Sequence, residues 1–390
     1  MSEETRFVYL DNAATTQPAA EVAAAMEPYL REKYGNPSGL YSIGRDSKKA
    51  VEEARASVAS LIGATPDEVF FTSGGSESDN MSIMGTLAAN ESKGDHLVTT
   101  SIEHHAVLDT AKWLEKRGFR LTVAPVDSMG MVDPGDIRKA ITAETVLVSV
   151  MHANNEVGTI QPIAEISKVC REAGVCLHTD AVQTVGNIPV DVDGLGVEML
   201  SLSGHKLYGP KGIGAIYIRE GAKLERLIHG GEQERGRRAG TENIGGIVGL
   251  GAAARLAGKE LPTKTDRISG LRDRLIEGIR NSIENVTLNG HPSQRLPNNA
   301  HLLISYIEGE AICLQLDTIG ICASTGSACS SEALEPSHVL LAMGVRPLDA
   351  HGSVRFTLGR DTTSEDIDYV IEKLPPVVAR LRSMSPLTPH

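Results

Sequence analysis

Seven short apolar runs that alternate with helix-period segments over residues 68–218 constrain the fold of this chain most. The runs read EVFF, HLVTT, RLTVAPV, TVLVSVM, VCLHTD, MLSLS and GIGAIYI, and two of the intervening segments read HAVLDTAKWLEKRG and PIAEISKVCREAG. β-Branched residues favour strands, and strands that are apolar on both faces are typical of a parallel sheet covered by helices. The alternation therefore predicts an α/β domain with a large, mostly parallel sheet of seven strands.

The rest of the chain predicts a second, smaller domain. Helices are expected at 19–34 and 45–63, ahead of the sheet, and the polar stretch KELPTKTD is interpreted as a linker after a helix at IVGLGAAARLAG. The predicted boundary lies near Gly258. A large domain over 16–258 and a smaller α+β domain built from 1–15 and 259–390 follow, the latter with strands near AHLLISYI and SVRFTLG and a final helix.

Composition excludes several classes of protein. The 390 residues are 41% apolar and carry a formal net charge of -12, which disfavours nucleic acid and anionic membranes as partners. The first ten residues, MSEETRFVYL, lack the features of a signal peptide, and no apolar run approaches the roughly 18 residues of a membrane span. A cytoplasmic location is expected. Five cysteines, an odd number, predict free thiols and a reducing compartment.

Polar residues that could carry chemistry follow consecutive predicted strands. Ligands of open α/β sheets bind beyond the carboxyl ends of the strands, so these residues are candidates for one site. They are Gly74, Gly75 and Ser76 after EVFF, His104 and His105 after LVTTS, Asn155 after VSVMH, and Asp180 and Gln183 in the VCLHTD region. Each of them alone is most simply a helix cap or a turn residue, and their coincidence favours a functional site.

A lysine completes this set. MLSLS is followed by GHKLYGPKGIG, which puts Ser203, His205 and Lys206 at a strand end. Most strand-end lysines are simply solvated, and Lys211 is a rival within a turn of Pro and Gly. A phosphate cup, an acid for a ring nitrogen, a histidine for a ring face and a strand-end lysine are the groups that pyridoxal phosphate (PLP) requires.

The cysteines give weaker signals on their own. Cys329, in STGSACSS, is an ordinary loop thiol by its local sequence, and Cys322 is interpreted as a buried small hydrophobe. Cys170, Cys176 and His178 match no compact zinc pattern, so no metal site is predicted.

Nine motifs in order carry a family resemblance over nearly the whole chain. They are LDNAATT, GNPSGLYSIG, EHHAVLD, MHANNEVGTIQPI, HTDAVQTVG, SGHKLYGPKGIGA, RRAGTEN, STGSACSS and VRFTLGR. This set resembles the cysteine desulfurases of the NifS/IscS type, and LEPSHVLLAMG favours the NifS branch. The resemblance implies a PLP-dependent transferase of the aspartate aminotransferase-like fold type I, within the class-V aminotransferases.

The resemblance also implies an activity. L-Cysteine would lose its sulfur to Cys329, on a loop at about 323–335, giving L-alanine and an enzyme persulfide. The sulfur would then pass to an iron-sulfur scaffold or another acceptor protein. Lys206 would be the Schiff-base lysine and would move the Cα proton, and Arg355 would bind the substrate carboxylate.

Further site residues come from the same resemblance. Asp180 would pair with the ring nitrogen, Gln183 and Asn155 would bond the phenolic oxygen, and His104 would stack on the ring and shuttle protons. Asn155 is also a candidate for binding the substrate. The phosphate would be held by Gly75, Ser76, Ser203 and His205, together with Thr241 of a second subunit, which implies a homodimer.

Two other readings remain open. A selenocysteine lyase or an aminotransferase could use the same fold, and the thiols could belong to a non-catalytic sulfur or metal carrier. Replacement of Cys329 separates desulfuration from amino transfer, and a covalently bound chromophore at Lys206 excludes the carrier.

Overall fold

The chain folds around a central sheet, and a computed structural model describes it over residues 6–326 and 335–386. In these residues the strands, numbered along the chain, are β1 (Val8–Tyr9), β2 (Val69–Thr72), β3 (His96–Thr100), β4 (Arg120–Ala124), β5 (Thr145–Ser149), β6 (Cys176–Asp180), β7 (Met199–Ser203), β8 (Gly214–Ile218), β9 (Glu232–Gln233), β10 (Arg238–Ala239), β11 (Val286–Leu288), β12 (Asn299–Ile304), β13 (Ile321–Cys322) and β14 (Ser353–Thr357). The α-helices are α1 (Ala20–Arg31), α2 (Ser42–Leu61), α3 (Gly75–Ala89), α4 (His105–Glu115), α5 (Pro134–Ala140), α6 (Ile163–Ala173), α7 (Val192–Leu195), α8 (Ile244–Ser282), α9 (Gly309–Asp317), α10 (His338–Ala342), α11 (Pro347–Ala350) and α12 (Ser364–Met384).

The seven predicted runs form one sheet, in the order β2-β8-β7-β6-β5-β3-β4. The pairs β7-β6, β6-β5, β5-β3 and β3-β4 are parallel. Strand β8 pairs antiparallel with both β7 and β2. The prediction of a large, mostly parallel seven-stranded sheet is confirmed.

Both faces of this sheet are buried, as the continuous apolar runs predict. In β5 the neighbouring residues Leu147 and Val148 are both fully buried but belong to different apolar clusters, because successive strand side chains point to opposite faces. Burial of each such side chain stabilises the fold by about 1.5–3 kcal/mol. The sheet is thus a rigid platform whose strand ends have fixed positions.

Helix α8 replaces the predicted linker, so the interpretation of KELPTKTD as a linker is wrong. The helix runs from Ile244 to Ser282 and contains Pro262. Residues 258–267 are exposed or half-buried, so their polarity is compatible with a helix, and the proline costs one backbone hydrogen bond. In the same stretch Lys264 Nζ donates to the carbonyl of Gly186 at 2.9 Å and ties the helix to the large domain.

A second apolar cluster lies beyond this stretch. The cluster under the large sheet includes residues of α8 up to Ala257. The second cluster includes residues of the same helix from Ile268 onward, together with Val8 and Leu10 near the N-terminus. A three-stranded antiparallel sheet in the order β11-β12-β14 contributes to the second core, and α12 packs against it. The predicted strands near AHLLISYI and SVRFTLG and the final helix are confirmed. The exact limits of the two domains stay a prediction.

Among the residues that the model covers, no helix has both the length and the apolar character to cross a bilayer.

Candidate active site

A cavity of about 260 Å³ lies at the carboxyl ends of β3, β5, β6 and β7. Its volume is close to the lower end of the range for small-molecule sites, roughly 300 to 1,000 Å³. The residues that the family resemblance assigns to the site all line it except Thr241 and Cys329, whereas the strand-end candidates Gly74 and His105 do not. Ala13, Ala14, Asp79 and Gly326 line it as well. The fold therefore brings together residues that are up to about 340 positions apart, from Ala13 to Arg355.

Lys206 lies in a short 3-10 turn directly after β7. Its ammonium donates to the carbonyl oxygen of Ala14 at 2.7 Å and also to that of Ala13. These carbonyls belong to the segment after β1, so the N-terminus of the chain closes one wall of the cavity. Sequence reasoning did not identify Ala13 and Ala14, because backbone acceptors leave no signal in side-chain types.

The start of α3 and the end of β7 form one end of the cavity. A Cβ atom added to Gly75 would come within 2.7 Å of the Val182 side chain, so only glycine fits there without displacing a neighbour. Backbone N–H groups at a helix start, with the hydroxyls of Ser76 and Ser203 nearby, are suited to an anion. His205 is the fourth residue predicted to hold the phosphate. Burial and the charges of Lys206 and Lys211 lower its pKa to about 4, and its Nδ1 lies 3.1 Å from the hydroxyl of Thr15.

Asp180 is the last residue of β6 and is 7% exposed. One of its carboxylate oxygens accepts a hydrogen bond from the backbone N–H of Val182 at 2.9 Å. Burial raises its pKa, while the hydrogen bond from Val182 and the charge of Lys206 partly offset this. Gln183, three residues further on in the turn after β6, donates from Nε2 to the carbonyl of Ala13 at 3.1 Å.

His104 caps the N-terminus of α4. Its Nδ1 accepts a hydrogen bond from the backbone N–H of Ala106 at 3.1 Å. The capping bond places the proton of the neutral imidazole on Nε2, because Nδ1 must offer a lone pair. Burial and the charge of Lys206 lower the pKa of His104, whereas Asp180 raises it, and the net shift is downward. The ring is therefore a neutral donor through Nε2.

Arg355, on β14, reaches the cavity from the second core and is 2% exposed. Its guanidinium donates to Asp11 Oδ1 and to the carbonyl of Asn155, both at 2.8 Å. Among the residues that the structure describes, the buried Nε atom of Arg355 has no hydrogen-bond partner. A buried donor of this kind calls for an acceptor, and a carboxylate in the cavity is the natural one.

Thr241 and Cys329 stand apart from this arrangement. Thr241 is exposed and lines a different cavity of about 120 Å³, with Thr72, Ser73 and Arg238. Its predicted role across a subunit boundary is not tested by a single chain. Cys329 lies outside the described residues, and Gly326, three positions before it, lines the main cavity.

Asp79 is a cavity residue that the sequence prediction missed. It follows Ser76 by three positions on α3, and residues three apart share a helix face. The helical spacing was therefore a usable signal for it.

The fold and this site define a class of protein. The family model of the class-V aminotransferases matches residues 8–370, and the chain therefore belongs to the class-V aminotransferase family. Enzymes of this family in general depend on PLP.

Proteins of similar sequence assign the chain to a narrower group within this family. The chain is 55% identical over 389 residues to cysteine desulfurase IscS of Methanosarcina thermophila, covering 100% of this chain and 96% of the relative. It is 54% identical to cysteine desulfurase IscS of Dictyoglomus turgidum, covering 98% of this chain and 97% of the relative. Within the family, the chain groups with the cysteine desulfurases.

Solved structures agree. A structure described as a NifS-like protein matches with a TM-score of 0.91 at 38% identity, covering 96% of this chain and 100% of that one. A structure described as SspA in complex with cysteine matches with a TM-score of 0.81 at 35% identity, covering 90% and 98%. The predicted resemblance to the NifS/IscS type and the predicted fold class are confirmed. These names include both IscS and NifS, so the finer assignment to the NifS branch stays open.

Proposed function

We propose that this protein is a PLP-dependent cysteine desulfurase, which takes the sulfur of L-cysteine, releases L-alanine and leaves a persulfide on Cys329. The observation that carries the proposal is the meeting of Lys206, Asp180 and Arg355 in one cavity. An amine at a strand end, an acid and a carboxylate-binding guanidinium suit a pyridine cofactor and an amino-acid substrate. The full-length identity of 55% to a relative named cysteine desulfurase supports the same reaction.

The described residues fit the cofactor. The glycine-lined start of α3, with Ser76, Ser203 and the neutral His205, suits the phosphate group. Asp180 suits a protonated ring nitrogen, because one of its oxygens is already fixed by the Val182 N–H. Gln183 and Asn155 are assigned to the phenolic oxygen. When bound, PLP supplies an electron sink that makes the Cα proton of an amino acid removable.

Lys206 is assigned to hold the cofactor through Nζ and then to move the Cα proton. Its Nζ already donates to the carbonyls of Ala13 and Ala14, which orient the side chain along one wall of the cavity. Oriented groups lower the entropic cost of proton transfer.

His104 is assigned to the ring face. Its capping bond to Ala106 keeps the proton on Nε2, so the neutral ring donates a hydrogen bond from that atom. A shuttling role at Nδ1 requires the cap to open first. Its net pKa shift is downward, which favours the neutral ring near neutral pH.

Arg355 is assigned to the substrate carboxylate. A guanidinium already fixed by Asp11 and by the Asn155 carbonyl is rigid, and its Nε, which has no partner among the described residues, is a donor still available to a carboxylate. A rigid planar donor binds a carboxylate with less loss of side-chain entropy than a lysine.

Cys329 is assigned as the sulfur acceptor. Its thiolate forms an S–S bond to the substrate sulfur while the Cβ–S bond breaks, and the carbon fragment keeps the bonding pair, takes up a proton and leaves as alanine. The support from the chain is that Gly326, three positions earlier, lines the cavity. The persulfide sulfur would then pass to an iron-sulfur scaffold or another acceptor protein.

A homodimer is part of the proposal. Thr241 is exposed and lies outside the cavity of its own chain, so a second copy is the candidate recipient of its hydroxyl at the phosphate. A cytoplasmic location is also inferred, since a reducing compartment keeps the acceptor thiol active.

Mass spectrometry after incubation of the PLP-loaded protein with L-cysteine tests the proposal. One added sulfur on the peptide that contains Cys329, together with alanine release, is expected. Cys329→Ala should lose both, whereas the matched control Cys322→Ala should keep both, because that half-buried thiol has its pKa raised by burial and is a poor nucleophile. Alanine release by Cys329→Ala at the wild-type rate, or amino transfer to a keto acid, would assign the protein to another reaction of the same fold.

A further inference from the structure

A second acid, Asp79, lines the same cavity as Asp180 and has no assigned role. It projects from α3 and is 1% exposed. Asp180 comes from β6, on the neighbouring wall. Two buried carboxyl groups in one small cavity cannot both be ionised at low cost, because like charges repel strongly away from water.

The groups around Asp79 offer it little to balance a negative charge. The hydroxyl of Ser201 hydrogen-bonds to its carboxyl group, and the buried Oδ1 has no hydrogen-bond partner in the part of the chain that the structure describes. The imidazole of His178 lies nearby, with Nε2 3.6 Å from Oδ1, which is too long for a hydrogen bond. The nearby carboxyl groups of Glu103 and Asp180 supply no positive charge.

His178 is not a counter-cation. Its Nδ1 lies 2.8 Å from the hydroxyl of Ser149 and its Nε2 lies 2.9 Å from that of Ser201, so two serines occupy both ring nitrogens. The ring is fully buried, and burial lowers its pKa to about 3. It is a neutral spacer between Asp79 and the β5 strand.

Asp180 is better placed to carry charge. It accepts the Val182 N–H, and the positive charge of Lys206 favours its carboxylate. Burial and the charge of Asp180 both raise the pKa of Asp79. The two environments therefore favour the proton on Asp79 and the negative charge on Asp180.

We propose that Asp79 is a positioning residue that holds the proton of this buried pair, so that Asp180 keeps the full negative charge for the cofactor's ring nitrogen. The inference rests on the role of Asp180 in the proposed function. It makes Asp79 a neutral hydrogen-bonding group at physiological pH, and it predicts that an amide can replace it but an alkyl group cannot.

Infrared spectroscopy of the wild type and two variants tests this. At pH 7 the carbonyl stretch of a protonated carboxylic acid is expected in the wild type and absent in Asp79→Asn, with or without PLP. Glu103→Gln removes a separate acid band and controls the assignment, since burial raises the pKa of Glu103 to about 8. The measurement on the PLP-free protein requires no activity, so it stands even if the proposed reaction is wrong.

Equilibrium binding of PLP supplies the second readout. Asp79→Asn should bind PLP within about threefold of the wild type, Asp79→Leu roughly tenfold more weakly because it removes the hydrogen-bonding group beside Ser201, and Asp180→Asn most weakly. Circular dichroism checks that each variant is folded. The proposal is overturned if the spectrum of Asp79→Asn keeps every carboxylic acid band of the wild type, or if this variant binds PLP as weakly as Asp180→Asn. Either result would mean that Asp79 carries the charge. Wild-type binding by both Asp79 variants would overturn it equally, since Asp79 would then have no role.

Discussion

Arg355 and Asp11 form a buried ion pair at 2.8 Å between β14 and the segment that follows β1, and this pair fixes the guanidinium at the cavity. The Arg355 side chain is 3% exposed and that of Asp11 is 20% exposed. The pair joins two parts of the chain that are 344 positions apart. It holds the group that we propose to bind the substrate carboxylate in place before any substrate arrives.

Arg355→Lys should therefore weaken the capture of L-cysteine. We expect KM for L-cysteine to rise by roughly tenfold to a hundredfold, because lysine does not reproduce the planar two-pronged donor. Steady-state kinetics with PLP-saturated protein measure it. Asp11→Asn is the matched control and should raise KM less, since it keeps the guanidinium. An unchanged KM in Arg355→Lys would remove this residue from substrate binding.

Lys206→Ala should abolish turnover while PLP still binds without a covalent bond. Borohydride treatment should fix PLP to the peptide that contains Lys206 in the wild type and to no peptide in the variant. Lys211→Ala controls for the neighbouring charge and should retain turnover. Turnover by Lys206→Ala at the wild-type rate would refute the assignment.

Glu103 predicts a pH dependence of stability. Its carboxyl accepts from the Thr100 hydroxyl at 2.6 Å and from the Met151 N–H at 3.0 Å, and burial raises its pKa to about 8. Between the unfolded pKa of about 4.5 and the folded pKa, the folded state binds more protons, so stability falls as pH rises.

Relative to Glu103→Gln, the wild type should lose about 1.4 kcal/mol of unfolding free energy for each pH unit between pH 5 and pH 8. Urea denaturation at several pH values measures this difference. Parallel stability curves for the two proteins would mean that Glu103 is ionised in the fold.

The buried ion pair of Arg55 and Glu234 predicts that removing Arg55 lowers the free energy of unfolding much more than removing an exposed arginine does. Arg55 donates two hydrogen bonds to Glu234 at 2.7 and 3.1 Å, and both side chains are almost fully buried. Arg55→Met leaves the Glu234 carboxylate buried and should cost about 3–5 kcal/mol of unfolding free energy.

The control is Arg235→Met. Arg235 pairs with Glu52 and Asp67, but its side chain is 39% exposed, so the loss should stay below about 1 kcal/mol. Denaturant unfolding of both variants under the same conditions compares them. Equal losses would show that burial does not set the strength of the Arg55 pair.

Much of this site was predictable from strand ends. Asp180, Ser203 and Lys206 end or follow apolar runs, and parallel strands bring such positions to one edge of a sheet. Arg355 was identified only through the family resemblance, because its own strand belongs to the smaller sheet and no local pattern connects it to the cavity.

The parts that the sequence analysis missed have physical reasons. The carbonyls of Ala13 and Ala14 act through the backbone, which every residue type shares. The stretch at 259–266 is polar and contains Pro262, features of a loop, yet packing of the flanking apolar turns on two cores makes it helical. Helix propensity is a weak prior that tertiary packing overrides.

The unbroken helix α8 has a consequence for how the molecule comes apart. Its first half is buried under the large sheet and its second half in the smaller core. If a flexible linker joined the two cores, one core could unfold while the other stayed folded. Here, unfolding of either core would expose the apolar side of a helix whose other half is still packed in the remaining core. The two cores are therefore expected to unfold together, as a single cooperative unit.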